Sequence, residues 1–359
     1  CGVSVARRRC KLSATKARRP EEKARREVTK RTRTENSKAR RIVAMLIHAV
    51  SRPTLVLVLA ALAVMSAAAQ NTSGGRAKQN IAHRGASSYA PEHTMTAYRL
   101  AMVQGADFVE QDLAVTKDGV LVCLHDDTLE RTSDVASVFP ERFSKELSGR
   151  GRGPARRYLA NDFTLDEIRK LDMGRWFSGK FMGERIVTWD EAIELVKGKP
   201  GTGMYPELKS PPLYTARGVD MAKIFVDSVK KHGLDQPESL KATPIIIQSF
   251  DEATIRRVAS ELPTIPRVFL TEKAEDVTDA RLKELSAFAT GIAPAKQIIA
   301  DHPEMVARAH ALNLTVTSWT FTTNEKTTQA AARTEMSRFL YELGIDALFT
   351  NNPDLFPRK

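Results

Sequence analysis

Three carboxylates in the first two thirds of the chain have spacings that suit a metal site. Glu110 and Asp112 are separated by one residue, and Glu207 stands in the same relation to Lys209. If each pair lies on a strand, its two side chains project from one face, where neighbouring carboxylates repel each other. Carboxylate oxygens are hard ligands that suit Ca²⁺ and Mg²⁺. The spacing therefore predicts one divalent metal ion, Ca²⁺ or Mg²⁺, held by Glu110, Asp112 and Glu207.

The same acidic residues also permit an interpretation without a metal. Arg84 and Lys209 lie beside the predicted ligands, and a salt-bridge network in the core of the fold would pair these cations with Glu110 and Asp112. The residue types are the same in both interpretations. The pattern of carboxylates alone therefore leaves both open.

Two histidines, His83 and His125, each end a short hydrophobic segment near these carboxylates. A single histidine at the end of a strand more often has a structural role. Two imidazoles beside a metal suit phosphoryl transfer, in which one group accepts a proton and another donates one. Arg84, which follows His83, carries a planar guanidinium that fits a phosphate. These residues predict acid–base chemistry on a phosphate ester.

Short β-like segments alternate with longer amphipathic segments from about residue 79 onward. The predicted strands are 80–83, 108–113, 203–208, 244–248, 267–270, 291–294, 314–319 and 346–350. The predicted helical segments include 94–104, 189–196, 215–231, 251–261, 304–311 and 325–343. Eight strand–helix units predict an α/β fold, a (β/α)₈ TIM barrel. The alternative is an open doubly wound sheet, which would place a glycine-rich turn after the first strand, where no G-x-G-x-x-G occurs.

The candidate site residues fall where barrel enzymes carry their chemistry, at the carboxyl ends of strands. His83 ends the first predicted strand, Gln248 ends the fourth and Trp319 ends the seventh. Segment 120–124 departs from the alternation, because Asp118 and Gly119 before it are typical of a hairpin turn. Segment 131–162 is long and polar, and it predicts a small surface insertion after the second barrel strand, over one end of the barrel.

The net charge of +12 suggests an acidic partner such as nucleic acid. The excess of lysine and arginine lies in residues 1–69, and the remainder of the chain is close to neutral. We therefore expect no nucleic-acid binding by the globular part. Nucleic-acid binding through residues 1–44 would require the protein to keep this segment and to stay in the cytoplasm.

The N-terminal region divides into two segments. Residues 1–44 predict a basic extension that is either disordered or non-native, arising from a misplaced start. Residues 45–69 predict a signal peptide, because the apolar segment 55–64 is followed by three alanines at 67–69. We expect cleavage after Ala69, a periplasmic or secreted protein of residues 70–359, and no stable membrane span after cleavage. An uncleaved membrane anchor is the alternative.

Together these motifs resemble the glycerophosphodiester phosphodiesterases in their periplasmic or secreted form. The resemblance runs from about residue 80 to residue 357, and the order of its motifs (H-R-G, E-x-D, H-D, E-x-K) is specific. The matching strings are AHRGASSYAPEHT (82–94), FVEQDLAVTKDGVLVCLHDDTLERT (108–132), LDMGRWFSGKFMGERIVTWDEAI (171–193), YPELKSP (205–211), IIIQSFD (245–251) and LFTNNPD (348–354).

The resemblance implies a TIM barrel with one divalent cation and a role for each matching residue. The implied roles are metal ligand for Glu110, Asp112 and Glu207, catalysis for His83 and His125, phosphate binding for Arg84 and Lys209, and substrate contact or support for Glu92, Gln248 and Trp319. Trp319 has plain barrel packing as an alternative role. His93 replaces an asparagine of the family pattern, which puts the local hydrogen bonding in doubt.

The activity implied is hydrolysis of small-molecule glycerophosphodiesters to sn-glycerol 3-phosphate and an alcohol. A lysophospholipase D or another phosphodiesterase of the same superfamily is the enzyme alternative. A catalytically silent barrel that binds phosphodiesters is the alternative without catalysis. The sequence does not indicate an oligomeric state.

Overall fold

The computed structural model of the chain describes residues 77–145 and 156–359. Eight strands of this part pair in parallel and close into a barrel, and a ninth, β3, pairs with β2 in the antiparallel direction. β1 closes the barrel, because Ile81 pairs with Phe108 on one side and with Phe349 on the other. The strands are β1 (Gln79–Ala82), β2 (Phe108–Val115), β3 (Leu121–Cys123), β4 (Gly203–Leu208), β5 (Ile247–Ser249), β6 (Arg267–Thr271), β7 (Gly291–Pro294), β8 (Thr315–Phe321) and β9 (Ala347–Thr350).

Helices follow the barrel strands and cover their outer faces. They are α1 (Met95–Val103), α2 (Val135–Val138), α3 (Leu165–Ile168), α4 (Trp189–Lys197), α5 (Pro211–Ala216), α6 (Met221–Lys231), α7 (Pro237–Ala242), α8 (Glu252–Glu261), α9 (Asp279–Leu285), α10 (Lys296–Asp301), α11 (Met305–Ala311) and α12 (Gln329–Ser337). Short 3₁₀ turns lie at Ala160–Asp162, Gly179–Phe181, Ala274–Val277 and Pro353–Leu355, and a π-helical turn at Arg338–Glu342 follows α12. The predicted (β/α)₈ TIM barrel is confirmed.

The barrel interior is filled by side chains, as small parallel barrels require. Tyr205 is at the centre of this packing, with its ring perpendicular to those of Phe108 and Phe349 at centroid distances of 5.8 and 5.1 Å. Every residue of β2 is buried, because its inner face meets this interior while α1 and α4 pack against it from outside. These rings fill the barrel interior below the carboxyl ends of the strands, and the polar side chains at those ends lie above this packed layer.

The predicted hairpin is present, with Leu113 opposite Cys123. Gly119 in its turn has φ of +81°, a conformation that glycine adopts without steric cost. Cys123 is a free thiol and is buried, as its hydrophobic surroundings predict. The hairpin shortens the path from β2 to His125, so that this histidine returns to the carboxyl end of β2.

Two helix predictions differ from the structure. Segment 215–231 forms two helices, α5 and α6, because Gly218 has φ of +75° and Asp220 caps a new helix by accepting from the Lys223 N–H. The helix predicted over 325–343 begins only at Gln329, because the Thr328 side chain caps the N-terminus of α12 there. Local capping therefore determined these bounds, although the hydrophobic spacing continued across them.

The N-terminal predictions, segments 1–44 and 45–69, lie outside the described residues. None of the helices in the two described ranges is long and apolar enough to cross a membrane. Part of the predicted insertion, 146–155, also lies outside the described residues. The rest of it packs on the hairpin side of the barrel, where Asn161 donates to the carbonyl oxygens of Val115 and Thr116.

Candidate active site

The three predicted metal ligands lie together at the carboxyl ends of two adjacent strands. Glu110 and Asp112 are on β2, Glu207 is on β4, and the register places Asp112 directly opposite Glu207. All three side chains are buried. One ligand oxygen from each lies within 4.8 Å of the other two. Three oxygens at this separation could hold a metal ion.

The pKa values of the three carboxylates reflect the repulsion between their negative charges. Burial raises the pKa of Glu110 well above its ordinary value, and the negative charges of Asp112 and Glu207 raise it further. Burial and the charge of Asp112 also raise the pKa of Glu207. Burial would raise the pKa of Asp112 too, but Lys209 and His93 outweigh it and hold that pKa well below its usual range. A bound cation would relieve this repulsion.

Two side-chain cations share the cluster, and neither pairs with Glu110. Arg84 Nε lies 3.3 Å from Asp112 Oδ2, and Lys209 Nζ lies 3.1 Å from Glu207 Oε1. Within the described parts of the chain, no lysine or arginine forms an ion pair with Glu110. The salt-bridge network considered as an alternative therefore leaves one buried carboxylate without a cation. The donor set fits a divalent metal ion in addition to these ion pairs.

The turn after β1 has a backbone conformation that depends on its sequence. Arg84 has φ of +58° and Gly85 has φ of +86°, and the left-handed region costs a non-glycine residue roughly 1–2 kcal/mol. A Cβ atom on Gly85 would lie 2.8 Å from the backbone carbon of Ala97, so only glycine fits there. The turn aims the Arg84 N–H at Glu110 Oε2, 2.9 Å away, while the guanidinium reaches Asp112.

His83 is oriented by a side chain that follows the last strand. Its Nδ1 lies 2.6 Å from Asn351 Oδ1, and the Asn351 amide nitrogen donates to Thr322. Because an amide oxygen only accepts, Nδ1 carries the proton and Nε2 has a free lone pair in the neutral ring. Burial lowers the pKa of His83 to about 3, and the charge of Arg84 acts in the same direction. The ring is therefore neutral near neutral pH.

His125 has an acidic partner instead. Its Nδ1 lies 2.7 Å from Asp126 Oδ1, and Arg131 Nε donates to the second oxygen of the same carboxylate at 2.5 Å. Burial raises the pKa of Asp126, but the hydrogen bonds from His125 and Arg131 outweigh it and bring that pKa below its ordinary value. Asp126 therefore stays ionised and accepts a hydrogen bond from the His125 ring.

A cavity of about 320 Å³ joins these groups. It is lined by every predicted site residue except Glu92. Glu92 lies behind the lining, where it accepts from Arg84 Nη1 at 3.1 Å and from Arg131 Nη2 at 2.7 Å. Burial raises its pKa, but Arg131 and Arg84 outweigh burial and lower the pKa of Glu92 to about 2. Glu92 therefore positions the two arginines and does not face the cavity.

Gln248 and Trp319 line the cavity and are fixed by hydrogen bonds. Gln248 is buried, and its Nε2 donates to Glu110 Oε1 at 3.0 Å. Its Oε1 has no hydrogen-bond partner in the described residues. Trp319 Nε1 donates to the Ala293 carbonyl at 2.9 Å, which fixes the plane of the indole ring. Gln248 thus orients the Glu110 carboxylate, and Trp319 forms part of the wall.

His93, which departs from the family pattern, keeps the local hydrogen bonding intact. Its Nε2 lies 2.9 Å from Asp112 Oδ2, and its Nδ1 lies 2.8 Å from the Tyr98 hydroxyl. Burial lowers the pKa of His93 although Asp112 opposes this effect, so the neutral ring donates from Nε2 and accepts at Nδ1. The imidazole therefore orients the Asp112 carboxylate.

Some residues of the site had no role in the sequence prediction. Asn351, Asp126, Arg131 and Phe250 all lie within the matching strings or directly beside them. For Asn351 and Phe250 the signal was position, because each directly follows a barrel strand; Asp126 lies just after the hairpin, and Arg131 lies farther along the loop. Sequence spacing could not reveal their partners, since Asn351 and His83 are separated by most of the barrel.

The described parts of the insertion lie beside the cavity. Arg131, at its start, bridges Asp126 and Glu92, and its guanidinium carbon lies 6.0 Å from the centre of the Trp176 ring. Among the described residues of 131–162, none lines the cavity. The described residues of the insertion therefore lie beside the cavity and do not form its wall.

We expect the metal-free protein to lose stability as the pH rises. Glu110 and Glu207 have folded-state pKa values above the ordinary value, which is about 4.3 in an unfolded chain. Their contribution to the free energy of unfolding is fully present below that pH and is lost as the pH rises through the raised values. Urea unfolding between about pH 5 and about pH 8 in chelator measures this loss.

Adding Ca²⁺ or Mg²⁺ should remove the pH dependence, because the cation favours the ionised carboxylates. Glu207→Gln should flatten the metal-free curve, since it removes one of the two titrating groups. Equal stability of the metal-free wild type at both pH values would contradict the interpretation of the cluster.

The chain matches known proteins over most of its described length. The family model for the glycerophosphoryl diester phosphodiesterase family matches residues 83–355. A glycerophosphodiester phosphodiesterase of Bacillus subtilis is 33% identical to this chain, and the match covers 77% of this chain and 84% of the relative. A glycerophosphodiester phosphodiesterase of Arabidopsis thaliana is 32% identical, and that match covers 76% of this chain and 83% of the relative. A solved phosphodiesterase of Oleispira antarctica, in complex with the product sn-glycerol-3-phosphate, is 27% identical with a TM-score of 0.60, covering 77% of this chain and 94% of that one. With the barrel and the carboxylate cluster, these matches mean that this chain belongs to the glycerophosphoryl diester phosphodiesterase family.

Proposed function

We propose that this enzyme hydrolyses glycerophosphodiesters to sn-glycerol 3-phosphate and an alcohol, with His83 and His125 as an acid–base pair. The observation that carries the proposal is the convergence of two imidazoles, three carboxylates and two side-chain cations on one cavity. Family membership and the names of the relatives support the same substrate class. The product in the Oleispira antarctica structure is consistent with it.

The phosphate would be bound on the side of the cavity that carries the cations. Arg84 offers a planar fork of N–H donors, and Lys209 offers an ammonium group, so the two neutralise a phosphodiester. Glu110, Asp112 and Glu207 would hold one divalent cation, Ca²⁺ or Mg²⁺, which would supply Lewis-acid stabilisation of the charge that develops on phosphate. Gln248 and His93 hold two of these ligands in place.

His83 is assigned as the general base from its hydrogen bond. Asn351 fixes the proton on Nδ1, so the lone pair of Nε2 can accept the proton of the attacking oxygen as the new P–O bond forms. The attacker is either water or the glycerol 2-hydroxyl of the substrate, and in the second case water then opens the cyclic phosphate. Only 16% of the His83 side chain is exposed, and this restricts the motion of the ring.

His125 is assigned as the general acid. Its Nδ1 faces the Asp126 carboxylate, which stabilises the imidazolium, and the Nε2–H can then be donated to the leaving oxygen as the second P–O bond breaks. Arg131 supports Asp126 from outside the cavity. The two histidines thereby differ in partner, because His83 faces an amide oxygen and His125 faces a carboxylate.

Activity should require a divalent metal ion. We expect full loss of glycerophosphodiester hydrolysis after metal removal, and recovery with Ca²⁺ or Mg²⁺. Glu110→Gln, Asp112→Asn and Glu207→Gln should each remove most of the activity while the protein stays folded. The assay uses purified residues 70–359 with several glycerophosphodiesters. Full activity in excess chelator, after metal analysis has verified its removal, would sink the proposal.

Replacing either histidine should lower kcat by roughly 10²–10⁴, the usual contribution of a positioned proton-transfer group. A glycerophosphodiester with a nitrophenol leaving group needs little protonation, so it should restore activity to His125→Ala and not to His83→Ala. His302→Ala, an exposed histidine outside the cavity, is the matched control and should keep its activity. Rescue of His83→Ala instead would reverse the assignment, and near-native kcat in either variant would contradict the pair mechanism.

We also propose that the enzyme acts in the periplasm or after secretion. The support is the apolar segment 55–64, followed by the alanines at 67–69, and the near neutrality of the remaining chain. Mass spectrometry of the protein from its native host should give an N-terminus close to Gln70. A cytoplasmic protein that retains Cys1 would be incompatible with this location.

A further inference from the structure

A loop outside the cavity exposes large apolar side chains to solvent. Residues 174–185 lie between α3 and α4 and include the 3₁₀ turn Gly179–Phe181. In this loop Met182 is 62% exposed and Trp176 is 40% exposed. Water is an unfavourable environment for side chains of this size, and a cluster of them at the surface marks a place where a partner binds. The proposed reaction uses neither residue.

The apolar side chains of the loop form a continuous series of contacts. The Phe177 ring contacts those of Trp176 and Phe181, with centroid distances of 5.7 and 5.6 Å, and Met182 directly follows Phe181. Both phenylalanines are half-buried. The Trp176 indole N–H donates to the Met173 carbonyl at 2.9 Å, so this polar group needs no water. The loop therefore presents an apolar surface whose one polar side-chain atom is already satisfied.

One buried carboxylate holds the backbone of the loop in this shape. Asp172 accepts three backbone hydrogen bonds at 2.9 Å, which come from Gly174, Arg175 and Gly183. A Cβ atom on Gly174 would collide with the Phe181 carbonyl oxygen, so the close approach within the loop requires glycine there. Because the rings are positioned before a partner arrives, binding costs less conformational entropy.

Cations without acidic partners accompany the apolar side chains. Arg175, Lys180 and Arg185 are exposed, and none of them forms an ion pair within the described parts of the chain. Lys180 Nζ lies 4.7 Å from the centre of the Phe181 ring. The Arg185 guanidinium donates to the Leu171 carbonyl at 2.6 Å and keeps its charge. The loop thus carries three positive charges that nothing in its described surroundings neutralises.

The acidic residues of the same segment are engaged elsewhere. Asp172 binds the loop backbone, and the half-buried Glu184 accepts a hydrogen bond from the Thr96 hydroxyl. The outer surface of the loop therefore combines apolar rings with positive charge. A lipid surface with anionic headgroups is complementary to both, since aromatic side chains favour the headgroup region and lysine and arginine are attracted to anionic lipids.

The loop lies on the same side of the barrel as the cavity. The Arg131 guanidinium carbon lies 6.0 Å from the centre of the Trp176 ring. The same guanidinium binds Asp126, the partner of His125, and Glu92. A surface that takes up Trp176 would therefore lie beside the active site.

We propose that residues 174–185 dock the enzyme on a lipid surface with anionic headgroups. Trp176 and Met182 enter the headgroup region, and Arg175 and Lys180 bind the anionic groups around them. This surface is separate from the catalytic residues, and the proposal does not depend on the identity of the substrate. Docking places the cavity beside the lipid surface, and the protein stays peripheral to it.

Binding to vesicles tests the proposal. Residues 70–359 are used, because they contain all nine strands of the closed barrel and because the basic segment 1–44 would bind anionic lipid by itself. Vesicles of phosphatidylglycerol and phosphatidylcholine should sediment with the protein, and rising salt should weaken this binding. Vesicles of phosphatidylcholine alone should bind far less.

Variants of the loop separate the two contributions to binding. The double variant Arg175→Gln/Lys180→Gln should bind the anionic vesicles about tenfold more weakly, since each cation near such a surface contributes several-fold. Trp176→Ala/Met182→Ser should weaken binding by a similar factor through lost apolar contact, and should leave its salt dependence unchanged. Circular dichroism checks that both variants are folded.

Tryptophan fluorescence locates the contact. Lipids that carry bromine on their acyl chains quench a tryptophan only when its ring enters the bilayer. Trp189 is fully buried and Trp319 lies in the cavity, so the quenching should come from Trp176. Trp176→Phe should keep the binding and lose most of the quenching, a combination that misfolding does not produce.

Val103→Ser and Lys283→Gln are the matched controls. Val103 is 79% exposed on α1 and Lys283 is exposed on α9, so both should bind vesicles as the wild type does. Failure of the wild type to bind anionic vesicles would overturn the proposal, and so would equal binding by the loop variants and the controls. Self-association of the wild type through this loop, without vesicle binding, would also overturn it and would assign the surface to a second copy of the chain.

Discussion

Repulsion among three buried carboxylates is the interaction on which the rest of the site depends. The register of two neighbouring strands brings Glu110, Asp112 and Glu207 together. Because the three carboxylates are buried, water screens their charges only weakly and the repulsion between them is strong. If these carboxylates were neutral, the site would bind a cation less well. Leaving the charge in place destabilises the barrel. The surrounding residues are arranged to resolve that conflict, and each of them does so by donating hydrogen bonds or positive charge.

The donors around the cluster act on different carboxylates. Asp112 accepts a hydrogen bond from His93 and forms an ion pair with the guanidinium of Arg84, so it stays ionised. Glu110 accepts hydrogen bonds only from the backbone N–H of Arg84 and the side-chain amide of Gln248. The unequal support divides the cluster into one permanent anion and two carboxylates that readily take a proton or a metal. A second layer, made by Glu92, holds Arg84 in position without entering the cavity. Preorganisation of this kind lowers the cost of arranging charge during a reaction.

The strands and most site residues could be predicted because each depends on local pattern. Polar residues end hydrophobic segments, and parallel strands bring such ends together, so His83 and Glu110 were recognisable before their distance was known. Pairings between residues far apart in the sequence were not, because the partner of His83 is Asn351, 268 residues away at the end of the neighbouring strand β9. Helix bounds failed where Gly218 and Asp220 interrupted a continuous hydrophobic pattern.

Closure of the barrel between β1 and β9 has a consequence for the order of events during synthesis. The first strand can pair with the second early, but its other edge stays open until residues 347–350 emerge from the ribosome. Asn351 emerges with them, and until then His83 has no acceptor for its Nδ1 proton. A nascent chain that lacks this segment therefore has an open sheet edge and a His83 ring without its Asn351 partner. Orientation of His83 and closure of the barrel arrive in the same step, so a truncated translation product would expose a strand edge that can pair with another chain.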